Sequence, residues 1–207
     1  MNFSSLKSYL VAKHLLGNRV SSQIDISRET GVAIGYVNEV VHELSSLDIV
    51  KVEYGKCTLL DHVKLLDKIS SDRSFKKLQC DEFRLPTSTI DETEIILSKF
   101  CESRGIGYAF SVFSALRSYY EYHISYPSIH IYIENLSRFQ EIEKGEGVVP
   151  VIVLKPDRPD ILQNSMRRNG YSVCDRIQVL IDLYASGIGR DAAIRFYRDS
   201  IWKNAAF

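Results

Sequence analysis

The side chains that most often carry chemistry are scattered along this 207-residue chain, and their spacing matches no common catalytic centre. Four cysteines (Cys57, Cys80, Cys101, Cys174) lie far apart with no C-x-x-C pair, a spacing that argues against a zinc site. The five histidines (His14, His42, His62, His123, His130) show no ligand spacing, and Cys174 has no histidine beside it to activate its thiol. A nucleotidyltransferase needs a Gly-Ser turn to hold phosphate, followed by closely spaced carboxylates for Mg²⁺. The segment 110–114 lacks that glycine, and no Asp-x-Asp follows it. Asp157 and Asp160 flank Pro159 as turn residues do. The expectation is a protein that is not an enzyme, with no metal and no cofactor.

A different chemistry, hydrogen bonding to base edges, is within reach of the segment 33–46. Val37, Val40, Val41, Leu44 and Leu47 recur at helical spacing and predict a buried stripe. The opposite side presents Ala33, Tyr36, Asn38, Glu39 and His42. Asn can bond both edges of adenine, and a carboxylate can accept from the cytosine amino group, so Asn38 and Glu39 suit a major groove. Two β-prone runs, 49–54 and 57–60, flank Gly55-Lys56 and predict a hairpin, from which Lys51 and Lys56 could touch phosphate. The competing reading is a module used only for protein contact. Glu39 and Glu43, one helical turn apart, are equally what a solvated face carries.

These residues need a particular scaffold. Leu6, Tyr9, Leu10 and Leu16 predict a first helix, with Ser4 or Ser5 at its start and Gly17-Asn18 at its end. A short extended piece (residues 20–23), a brief helix to about Thr30, a break at Gly31 and the helix just described follow in order. Helix, glycine turn, helix and hairpin match a winged helix-turn-helix, whose second helix enters the major groove. A linking helix over 61–69 ends this domain, predicted as residues 1–69, and a polar run from 67 to 74 marks the boundary.

Charge does not help this reading. The chain holds 26 basic and 26 acidic residues, and residues 1–69 hold eight of each. Lys and Arg supply most non-specific affinity for DNA, so a neutral module needs a dimer or a local arrangement of cations. The expected partner is double-stranded DNA, bound by a homodimer. Hydrophobic residues at 45% and charged residues at 25% describe a folded globule. No apolar run approaches the roughly 18 residues of a membrane span, and the N-terminus lacks the basic-then-apolar order of a secretory signal. The expectation is a cytoplasmic protein with reduced thiols and no membrane contact.

Residues 70–207 predict a mixed α/β domain, a small sheet packed by helices, so that the whole chain is α+β. Residues 75–85 are read as extended and Asp91 to Ser103 as a helix with apolar Ile95, Ile96 and Phe100. Residues 108–120 are read as a helix carrying Phe110, Phe113 and Leu116 inward, and 129–133 as an alternating strand. A short helix near 136–142 and an apolar strand over 148–154 follow; Pro150 requires pairing to start after it or to lie at an edge. Two helices, 174–186 and 189–203, close the domain.

From residue 165 onward seven basic side chains face four acidic ones, and Arg167, Arg168, Arg190, Arg195 and Arg198 are candidates for a partner or the DNA backbone, or simply a solvated surface. Tyr119, Tyr120, Tyr122 and Tyr126 are either a stacking or interface cluster or a half-buried core edge.

Three stretches carry a family resemblance. Residues 108–116 (YAFSVFSAL) resemble the segment ending in Ser-Ala-Leu of AbiEi-like transcriptional regulators, and residues 127–133 resemble the strand that follows it. Residues 175–184 (DRIQVLIDLY) with Gly189-Arg190-Asp191-Ala192-Ala193 are similar to that family's Leu-Asp-Leu helix and Gly-Arg-(Asp/Glu)-Ala-Ala turn. The resemblance implies an antitoxin of a type IV toxin–antitoxin pair, whose winged helix binds repeats at its own promoter. Its C-terminal domain would counter a nucleotidyltransferase-like toxin.

Overall fold

Helix α1 (Leu6–Gly17) starts at Ser5 and buries Ser8, Tyr9, Val11, Ala12, Leu15 and Leu16. The predicted stripe is therefore rotated: Tyr9 and Leu16 are buried, Leu10 is half-buried, and Leu6 faces solvent. The computed structural model describes residues 2–121 and 127–202. Its chain divides into two compact units, one of Met1–Ser74 with Ala193–Phe207, the other Phe75–Ala192. The chain passes from the second unit back to the first within one C-terminal helix, whereas the sequence reading places all of 70–207 in the second domain.

In the first unit, β1 (Val20–Ser22), α2 (Gln23–Thr30), α3 (Ile34–Ser46), β2 (Val50–Glu53), β3 (Lys56–Leu59) and α4 (His62–Asp72) follow in order. Ser22 caps α2 by accepting from the Asp25 amide at 3.1 Å, and Gly31 ends it in a left-handed conformation, φ 68°. Ser27 Oγ donates to the Val32 carbonyl (2.7 Å), fixing the turn into α3. Val37, Val40, Val41 and Leu44 are buried as their spacing predicts, worth about 1.5–3 kcal/mol each. Leu47 is the exception: it is the C-terminal cap of α3 and largely exposed.

The three strands form an antiparallel sheet in the order β1-β3-β2. The β2–β3 turn is Tyr54-Gly55 rather than Gly55-Lys56, because Lys56 already pairs with Glu53. Both turn residues have positive φ, 50° and 75°, the geometry of a tight two-residue hairpin. A non-glycine residue there costs about 1–2 kcal/mol.

The C-terminal segment completes this unit. Helix α10 (Arg190–Phe196) runs into a π-helical turn, Tyr197–Trp202. Tyr197 stacks on His62 of α4 at 4.1 Å between ring centres, Trp202 meets Tyr197 edge-on, and Arg19 lies 3.8 Å over the Trp202 ring.

The second unit holds a mixed six-stranded sheet in the order β4-β7-β6-β5-β9-β8. Its elements are a 3₁₀ turn (Phe75–Leu78), β4 (Gln79–Arg84), α5 (Ile90–Ser103), β5 (Tyr108–Ser111), α6 (Val112–Leu116), β6 (Ile129–Ile133), α7 (Leu136–Phe139), β7 (Pro150–Leu154), α8 (Asp160–Gln163), β8 (Met166–Arg168), β9 (Tyr171–Val173) and α9 (Arg176–Ala185). The α+β class holds. Five readings change.

Residues 108–120 are not one helix: 108–111 form a buried strand, and Val112, at φ 53°, turns the chain into the short α6. Helix α5 buries Thr93, Glu94, Leu97, Ser98 and Cys101 and leaves Ile95 and Ile96 outside. Strand β6 is buried at all five positions, because it is central and paired on both sides. The β8–β9 hairpin, absent from the sequence reading, turns on Asn169-Gly170 at φ 50° and 86°. Pro150 departs from its reading as well: pairing starts at Pro150 itself, opposite Arg84, and β7 is an interior strand, where the first position of a strand tolerates proline.

Candidate functional site

Helix α3 holds its polar residues at the surface because its valines are committed to the core. Asn38, Glu39 and His42 are exposed along one solvent-facing side of the helix, and Ala33, the N-cap residue, is exposed at its start. Tyr36 is half-buried. Its hydroxyl lies 3.5 Å from Ser8 Oγ, and Lys7 Nζ sits 5.8 Å from its ring centre. Contact with the Ser8 and Ser5 hydroxyls holds the Tyr36 phenol below the usual tyrosine range, aided by Lys7 and opposed by burial and Glu39. Tyr36 thus ties α3 to α1 and is less available to a ligand than its helical position implies.

Sequence reasoning missed Ile34. It is the first residue of α3 and about half exposed, beside Asn38 one turn on. An apolar side chain at that point is suited to a thymine methyl group. Its spacing to Val37, Val41 and Leu44 puts it in phase with the buried stripe, and it is exposed because it is the first residue of the helix.

The hairpin contributes cations unequally. Lys51 pairs with Glu53 on the same strand at 2.7 Å, whereas Lys56, the first residue of β3, is exposed. Arg28 on α2 pairs with Asp25 at 2.5 Å. His14 on α1 is positioned between β1 and α2, with Nε2 2.9 Å from Ser21 Oγ and Nδ1 3.4 Å from Glu29. Burial pushes its pKa down, against the pull of Glu29 and Asp25.

The five C-terminal arginines do not form one patch within either unit. Arg167, Arg168 and Arg190 belong to the second unit, Arg195 and Arg198 to the first. Arg167 pairs with Glu102 at 2.8 Å, Arg168 stacks over Tyr119 at 4.5 Å, Arg190 lies 4.8 Å over Tyr184, and Arg198 pairs with Asp199 at 3.1 Å. Arg195 is exposed on α10. Tyr119 is half-buried and donates to the Cys174 carbonyl at 2.7 Å; Tyr122, His123, Tyr126 and Lys203 lie outside the described residues. Ser118, Tyr119, Met166, Arg168, Asp175 and Arg176 line a surface cleft of about 260 Å³.

A second polar constellation, also missed from sequence, is closed to solvent. Asp182 of α9 accepts from Ser111 Oγ (2.8 Å), Tyr132 OH (3.0 Å) and Gln178 Nε2 (3.0 Å), and all four residues are fully buried. His130 stands opposite Ser111 on β6, with Phe75 packed against its ring at 5.8 Å. Burial pushes the His130 pKa down to about 4, and its Nδ1 has no hydrogen-bond partner among the described residues. A carboxylate that already accepts from three neutral donors in a fully buried site acts as a structural acceptor.

Cys174 is buried, Asp157 pairs with Arg158 at 2.6 Å, and Asp160 opens α8. Among the described residues no three His, Cys, Asp or Glu side chains group as metal ligands do, and no helix is long and apolar enough to cross a membrane. No family model, no curated protein and no solved structure matches the chain.

Proposed function

We propose that the first unit is a winged helix-turn-helix that binds double-stranded DNA, and that the protein is a transcriptional regulator of the AbiEi-like antitoxin type, repressing its own promoter. The observation that carries this reading is the division of α3: Val37, Val40, Val41 and Leu44 are buried while Asn38, Glu39 and His42 are exposed along the opposite side and Ala33 at the helix start. The element order of the first unit, with a three-stranded sheet and a two-residue hairpin, supports it. Asn38 reads adenine, Glu39 accepts from cytosine, Ile34 meets a thymine methyl, and Lys51 and Lys56 lie along phosphate. Two copies on paired half-sites offset the neutral charge of each module.

The test is a mobility shift with the duplex upstream of the protein's own reading frame. Retardation at about 50 mM salt that weakens steeply by about 200 mM is the expected outcome. No retardation at low salt sinks the reading.

A second reading is favoured by Glu39 and Glu43 on the same helix and by the Arg167–Arg168 strand at the sheet edge of the second unit. In it the protein neutralises a nucleotidyltransferase-like toxin by direct contact and binds DNA little or not at all. Co-purification with the product of the adjacent gene, together with an absent mobility shift, would select it.

A further inference from the structure

Two hairpins in this chain use the same two-residue turn and fill it differently. The β8–β9 turn places Asn169 at φ 50° and Gly170 at φ 86°, the residue types that tolerate such angles best. The β2–β3 turn places Tyr54 at φ 50° and Gly55 at φ 75°. Tyrosine gains nothing there from its own fold, since its relative exposure is 106%. A strained backbone under a large aromatic ring that touches no core is a feature whose return lies outside the molecule.

We infer that Tyr54 is a DNA-contacting residue at the hairpin tip, its ring laid against the sugar–phosphate backbone beside the bases read by α3. The inference rests on the duplex-binding reading of the first unit. Neighbouring residues favour nucleic acid over a protein partner: Glu53, Gly55 and Lys56 flank Tyr54 in the chain, and all three are exposed. An aromatic anchor for a protein sits among apolar neighbours that exclude water. Here a single ring stands two residues from a lysine, and both residue types contact the phosphates and sugars of a duplex. Glu53 is held by Lys51 along the strand, which draws its charge away from the tip, while Lys56 supplies the adjacent positive charge. Such a contact carries no base readout, so it strengthens binding to every sequence alike.

The experiment uses the full chain and two substitutions, Tyr54→Asn and Tyr54→Phe, against two duplexes of equal length, the upstream DNA and an unrelated sequence. Asparagine suits the turn, so a loss of binding cannot be blamed on misfolding. Expected is an affinity about tenfold lower for Tyr54→Asn on both duplexes, with a thermal midpoint equal to or above that of the parent. Tyr54→Phe, which keeps the ring, stays within about twofold. If the parent binds and Tyr54→Asn binds both duplexes as tightly, the inference falls and the reading of α3 survives. Unchanged DNA binding with loss of self-association in sedimentation would make the tip a protein contact instead and overturn the inference. A parent that binds neither duplex removes the inference and the reading beneath it together.

Discussion

Asn38, Glu39 and His42 on α3 and Ser111, Tyr132, Gln178 and Asp182 in the second unit are drawn from similar chemical types, yet the fold treats them in opposite ways. On α3 the hydrogen-bonding groups face water, and the buried valines behind them fix their position without using their polar atoms. Around Asp182, on the buried side of α9, Ser111, Tyr132 and Gln178 spend their donors on one shared carboxyl group. Polar character alone therefore does not mark a site. What separates the two regions is whether hydrogen-bonding capacity is left for a partner once the fold is complete. If that distinction is right, substitutions in the buried set should act on stability, and substitutions on α3 on binding.

The largest effect is expected at Asp182. Replacing it with alanine removes the oxygens to which Ser111, Tyr132 and Gln178 donate in a fully buried site, at about 1–3 kcal/mol for each donor left unsatisfied. Since a domain is stable by about 5–15 kcal/mol, the guanidinium midpoint should fall sharply. A change below about 1 kcal/mol would mean that water reaches the carboxylate, and the contrast between the regions would collapse.

His130 gives a pH signature of the same burial. Its pKa is about 4 in the folded chain against an ordinary 6.5, so the unfolded chain binds the extra proton between those values. Stability is fully present above pH 6.5 and declines as pH falls towards 4, by about 3 kcal/mol across the window. His130→Phe should flatten most of that slope. The smaller contributions of His14 and His62, whose pKa values burial also lowers, remain. A slope unchanged in His130→Phe would show that the ring is solvated.

The α3 face was legible from sequence because a single helix with one buried stripe repeats every three to four residues, and Val37 to Leu44 keep that phase. Its neighbours followed, since Ser22 and Gly31 bound α2 by local chemistry. The buried set was not legible. Ser111, Tyr132 and Asp182 are joined across 71 and 50 residues, and nothing local distinguishes a serine that will meet a distant carboxylate from one in a loop. The same non-local pairing hid β5. Residues 108–111 gained a strand by hydrogen bonding to β6 and β9, overriding a helical spacing of Phe110, Phe113 and Leu116. Tyr54 was passed over for another reason. The glycine beside it drew the turn one residue too far, to Gly55-Lys56, and so placed the tyrosine inside a strand.

Tyr54 sits between the extremes, and its substitution should move stability and binding in opposite directions. Asparagine relieves part of the left-handed strain and should raise stability by about 1 kcal/mol, seen as a higher denaturant midpoint with an unchanged slope. A lower midpoint would mean that the ring packs on the unit, and Tyr54 would then belong with the buried set.

The smallest effect on the fold, and the sharpest on recognition, is expected at Asn38. Its side chain is exposed on α3, so Asn38→Ala should change stability by no more than about 0.5 kcal/mol. If Asn38 bonds an adenine, its loss should cost about 1–3 kcal/mol of discrimination at one base pair, and sequences altered at that pair should then bind the variant equally well. The salt dependence should not change, because no phosphate contact is removed, whereas Lys56→Ala should reduce the slope by about one. Matched selection of binding sites by the parent and by Asn38→Ala measures this directly. Relaxation confined to one position would assign the residue to base readout. A uniform loss across all sequences would move Asn38 to the backbone, and no loss at all would leave the polar side of α3 a solvated helix face.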